Sequence, residues 1–99
     1  MTKHLPLPKR LDTSGAQPLA QVLLDRRGGP LTLDASEVEV MGALAFEVII
    51  AAGRQWDLDG QTLAMGPMSD RYVAACDALG LRADAPWLTG FPAAQGGGA

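Results

Sequence analysis

The stretch Pro30–Trp56, PLTLDASEVEVMGALAFEVIIAAGRQW, decides the fold of this 99-residue chain. It opens with a short apolar strand, breaks at Asp34, Ala35 and Ser36, and ends in a helix that is apolar almost all the way round. A helix of that kind needs cover on more than one side. The flanking segments read as that cover.

Within the stretch, Leu31–Asp34 is the strand, and its place between two helices in a β-α-β-α-β order makes it central. Glu37–Val40 alternates at period two and fits either an extension of that strand or a loop. The break before it favours a loop whose Val38 and Val40 dip into the core. The helix runs from Gly42 to Trp56. At about 100° per residue, Leu44, Ala45, Val48, Ala52 and Trp56 share one side, assigned to the sheet. Glu47 and Arg54 mark a polar stripe opposite. Phe46 and Ile50 flank that stripe, where either another element covers them or they form an exposed apolar patch, which would be a partner site.

Upstream, residues 4–7 form a short extended strand, which Pro6 and Pro8, each lacking a ladder donor, confine to a sheet edge or a strand end. Asp12, Thr13 and Ser14 offer alternative caps for a helix over 14–27, with Pro18 tolerable only in its first turn. Arg26, Arg27, Gly28 and Pro30 stop it. Downstream, Asp57–Gly60 is a turn and 61–65 a strand with Leu63 and Met65 on one face. Ser69 caps a third helix striped by Val73, Cys76 and Leu79, which ends at Gly80 with Leu81 as the accompanying apolar contact. Residues 1–81 make one domain. Residues 82–99 are a C-terminal extension, partly docked through Trp87, Leu88 and Phe91 and disordered at its glycine-rich end. Right-handed crossovers lay the helices over a mostly parallel sheet, an α/β sandwich of modest size.

Composition narrows the function. Apolar residues are 47% and charged residues 19%, with a formal charge of -3, which gives no basic footprint for nucleic acid. The apolar runs fall short of a membrane span, and the N-terminal prolines and charges do not suit a signal peptide. The lone Cys76 agrees with a reducing compartment, and the chain reads as cytoplasmic.

Groups able to carry chemistry are scarce. His4 lies on the terminal strand and reads as a solvated residue. Cys76 reads as a small buried hydrophobe rather than a thiolate. Asp57, Asp59 and Gly60 start like a calcium loop, but the glycine comes too early and no glutamate follows at the twelfth position. Gly28 and Gly29 precede a strand rather than open a helix, so they are a helix stop and not a phosphate cradle. No catalytic residue, cofactor or metal is expected. A small-molecule site in the loop from Asp34 to Gly42 is the weaker alternative.

The segment Leu33–Ile50, LDASEVEVMGALAFEVII, resembles the STAS family, the domain shared by sulfate-transporter tails and bacterial anti-sigma factor antagonists. There the family has an apolar strand, an Asp-x-Ser step, two spaced apolar residues, and Asp-Ser-Ser-Gly-Leu opening a helix. Asp34, Ser36, Val38 and Val40 match the first part, and the element order agrees from Leu5 through Leu81. The resemblance implies a STAS-type sandwich and a protein-interaction role. Against the family pattern, the leading hairpin strand and a full closing helix are missing, which implies a minimal version.

In antagonists a serine of that motif is phosphorylated by a partner kinase, and about two negative charges at a helix N-terminus switch binding. Here Gly42, Ala43, Leu44 and Ala45 stand in its place, so that switch cannot operate; Ser36, the nearest hydroxyl, reads as a turn residue. The variant looks most like the short STAS proteins encoded with bacterial chemotaxis genes, which implies binding to a chemotaxis histidine kinase. An anti-sigma kinase or a lipid-transport ABC system are the other partners implied, and a homodimer through the same face is possible. The expected contacts are Gly42, Ala43, Phe46, Glu47, Ile50 and Arg54, with the two apolar side chains as anchors and the two charges fixing register.

Overall fold

The computed structural model describes residues 3–89. The main sheet joins β1 (Lys3–Pro6), β3 (Leu31–Ala35) and β5 (Leu63–Met68), all parallel and in the order β1-β3-β5. α1 (Thr13–Asp25) links β1 to β3, and α2 (Ala43–Leu58) links β3 to β5. In a sequential order, right-handed crossovers put both helices on the same face. That face holds Leu5, Leu31, Leu33 and Leu63, all buried; the opposite face holds His4, Pro6, Thr32, Asp34, Ala64 and Gly66, which are polar or small and not buried. The molecule is an α/β protein of two layers, with β3 central and β1 at an edge.

Alternation explains why Pro6 is tolerated in β1. The Leu7 N–H donates to the Asp34 carbonyl at 2.8 Å, so Pro6, one residue earlier, turns its nitrogen to the outer edge, where no hydrogen is needed. β5 is longer than the sequence suggests and starts two residues later. It carries a bulge: two steps on β3, Leu33 to Ala35, match three on β5, Met65 to Met68. Gly66 sits there, and a Cβ on it would lie 3.2 Å from the Leu33 carbonyl oxygen.

Two expectations need correction. Glu37–Val40 is not simply a loop, since Val40–Met41 forms β4, paired in parallel with β2 (Arg10–Leu11). Val38 is buried but Val40 is not, because pairing with the strand before α1 turns it outward. The other concerns Pro18, which lies past the first turn of α1 because the helix already starts at Thr13. Its missing N–H would have met the carbonyl four residues back, and both Pro18 and Ser14 are exposed, so the lost bond falls on the solvent side of the helix.

α3 (Asp70–Leu79) closes the end of the sheet where α2 begins. Ser69 fixes it twice: its hydroxyl donates to the Val38 carbonyl at 2.6 Å and accepts from the Tyr72 N–H at 3.1 Å. The helix ends in a left-handed Gly80 (φ 72°), with Leu81 N–H to the Cys76 carbonyl and Gly80 N–H to the Asp77 carbonyl. The described part of the extension packs on the same body. The Tyr72 hydroxyl donates to the Ala83 carbonyl at 3.0 Å, Pro86 is buried, and a short α4 (Pro86–Thr89) lies along α2. Phe91 and the glycine-rich end lie outside the described residues.

Candidate partner-binding face

The approach to α2 is held by backbone bonds. The Asp34 carboxylate accepts the Ser36 N–H at 2.9 Å, which makes the turn after β3. Hydrogen bonds from Ser36, side chain first and backbone second, hold Asp34 below the usual carboxylate range against its partial burial, with His4 contributing a little. Ser36 thus serves the turn. Glu39 and Val40 then donate to the Lys9 carbonyl, and Gly42 donates to the Leu11 carbonyl at 2.9 Å. Gly42 is the cap of α2, in an extended conformation (φ -97°, ψ 165°), with no side chain to accept a helix N–H.

Of the expected contacts, Ala43, Glu47 and Arg54 are exposed on one side of α2, and Gly42 is half-buried at its head. Phe46 and Ile50 are not at the surface: they are 0% and 5% exposed. The Phe46 ring lies 5.9 Å from that of Tyr72, so α3 covers it. Ile50 falls on the flank of α2 along which α4 packs. Both are core residues and cannot be surface anchors while the fold is intact.

The rotation of α2 differs from the expected one for the same reason. Its buried residues are Ala45, Phe46, Ile49, Ile50, Ala52, Gly53 and Trp56. At about 100° per residue they fill an arc of roughly 160°, centred near Ile49 rather than on the Leu44–Val48 side. α1 covers one flank, the sheet the middle, and α3 and α4 the other flank. Leu44 is consequently left outside, although its apolar character had placed it against the sheet.

The outward side of α2 therefore carries Ala43, Leu44, Glu47, Ala51, Arg54 and Leu58. Beside it, between α1 and α2, runs a shallow apolar groove of about 280 Å³, lined by Leu23, Leu24, Val48, Ala51, Ala52 and Trp56. Its far end is closed by Arg27, whose guanidinium donates twice to the Asp59 carboxylate at 3.1 Å, joining the C-terminal ends of the two helices. Gln55 donates to the same carboxylate. Leu24, Leu44 and Leu58 went unnoticed in the sequence as surface residues. The spacing of seven between Leu44, Ala51 and Leu58 was the available signal, but it looks the same on a buried face.

Burial pushes the Cys76 thiol up despite a hydrogen bond with Tyr72, and burial, with Cys76 beside it, pushes the Tyr72 hydroxyl up as well, so both are protonated near neutrality. Asp59 is held low first by Arg27, and Asp84 first by Arg82. Among the described residues no three His, Cys, Asp or Glu side chains meet as metal ligands, and no helix is long and apolar enough to cross a membrane. No protein-family model matches the chain, and neither a curated protein nor a solved structure does.

Proposed function

We propose that the chain is a non-enzymatic, STAS-type interaction module of bacterial signalling that presents the head and outer side of α2 to a histidine-kinase-type partner, the chemotaxis kinase first. The single observation that carries this reading is the head of α2. A firmly held loop delivers a long helix whose first residues, Ala43 and Leu44, are exposed, at the place where the family resemblance sets a phospho-acceptor pair, and both lack a hydroxyl. A module of this type is engaged by contact and not switched by phosphate. Leu44 takes the role of apolar anchor, Gly42 and Ala43 let a partner approach the backbone closely, and Glu47 and Arg54 set its register.

The test is calorimetric titration into the chemotaxis histidine kinase of the same organism, with an anti-sigma kinase as a parallel titrant. Heat with the first kinase that Leu44→Asp removes, at unchanged melting temperature, supports the reading. Heat with the anti-sigma kinase alone moves the protein to sigma regulation, and no heat with either removes the reading.

A further inference from the structure

We infer that the outer side of α2 is also a self-complementary surface that takes a second copy of this chain in an antiparallel helix pair. This goes beyond the kinase reading and does not rest on it. Leu44, Glu47, Ala51, Arg54 and Leu58 recur at alternating spacings of three and four, the spacing of a helix-pair seam, with apolar residues at 44, 51 and 58 and a charge at each position between them. All are exposed, and the two leucines markedly so, at 46% and 81%. Neither Glu47 nor Arg54 has an ion-pair partner among the described residues.

The order of the seam reads nearly the same under a two-fold axis. With the axis through Ala51, antiparallel pairing sets Leu44 against Leu58 of the second copy and Leu58 against its Leu44. Glu47 then meets Arg54 of the second copy, offset by a single residue, or about 1.5 Å along the axis, which long side chains absorb. Each attractive pair occurs twice, as an isologous contact requires. The residue on the axis is alanine, which lets two helices approach to roughly 8 Å. The opposite, parallel pairing would set Glu47 against Glu47 and Arg54 against Arg54, so the charges select the orientation.

The surroundings extend the contact. Leu24 of α1, 58% exposed, shares the groove wall with Ala51, and Leu88 of α4, 65% exposed, stands beside Arg54 and Asp57. Leucines thus flank the C-terminal half of the seam on both sides, where the second copy's N-terminal half would lie.

The experiment is sedimentation equilibrium of the full chain over a range of concentrations, with Glu47→Arg, Arg54→Glu and the double exchange. Both charged positions are exposed, and circular dichroism verifies the fold of each of the three variants. The wild-type chain is expected to dimerise, and each single reversal to raise the dissociation constant about tenfold or more, because like charges then face each other twice. The double exchange, and an equal mixture of the two single variants, restore the dimer. A wild-type chain that stays monomeric overturns the inference, and so does a dimer that single reversals leave unchanged or that the mixture does not restore.

Discussion

The indole of Trp87 occupies the space that a β-carbon on Gly53 would need. Gly53 is buried in the middle of α2, and its missing side chain is what lets α4 lie against that helix. Gly53→Ala gains about 0.5–1 kcal/mol of helix propensity and loses about 1–3 kcal/mol to overpacking, so it should lower stability. In a Trp87→Gly background, which removes both the indole and the β-carbon that crowd this position, the sign should reverse. Urea denaturation of the four chains measures both; a stabilising Gly53→Ala in the wild-type background would show that α4 does not pack there.

Phe46 fills the space between α2 and Tyr72. Truncation to alanine should cost about 3–5 kcal/mol, and Phe46→Asp, which adds a buried unpaired charge, should leave the chain unfolded at room temperature. Leu44→Asp, two positions away, should change stability by less than about 0.5 kcal/mol. Thermal melts separate the two residues, and similar melts for both would contradict the rotation of α2 described above.

At Gly42 the outcome should be a gain. A Cβ there would lie 3.5 Å from the Leu11 carbonyl oxygen, an ordinary contact, and φ of -97° suits any residue. Gly42→Asp supplies both a cap and a negative charge at the positive end of α2, worth together roughly 0.5–1 kcal/mol. A denaturation midpoint that does not rise would mean that the head of α2 is already satisfied by another group.

Alkaline pH should weaken the fold. Tyr72 and Cys76 titrate higher in the folded chain than in the unfolded one, first by burial, with Asp84 and Asp77 adding to the effect. Their contribution is fully present below the unfolded values, about 8.5 for the thiol and 10 for the phenol, and is lost as pH rises through the folded ones. The melting temperature should therefore fall from about pH 8.5 upward, and less steeply in Cys76→Ala. A flat profile to pH 11 would contradict the burial of both groups.

Local signals carried most of the architecture. Pro30 and the apolar alternation of Leu31 and Leu33 mark the central strand, Gly28 and Gly80 mark helix ends, and Ser69 is a cap wherever the helix it opens is packed. The rotation of α2 was not legible, because it depends on Pro86 and Trp87, which reach it from more than thirty positions away. Gly53 was the residue that could have revealed it, as a glycine inside a helix implies a close neighbour. Tyr72 was missed as core because a buried hydroxyl needs a partner, and the Ala83 carbonyl lies in a segment with no regular pattern. The face around α2 followed the same division: Glu47 and Arg54 could be placed from their charge, whereas Phe46 and Leu44 exchanged places once α3 and α4 were in position.

The two prolines at the margins of the sheet, Pro6 on β1 and Pro67 on β5, bear on what its open borders can pair with. A stack of three parallel strands offers two unpaired borders, and a copy could add to either and continue without end. Each border here has lost a donor to proline, and β5 is kinked beside its own by the bulge at Gly66. Growth through the sheet is thereby discouraged, which leaves helix α2 as the side on which copies can meet and stop at two.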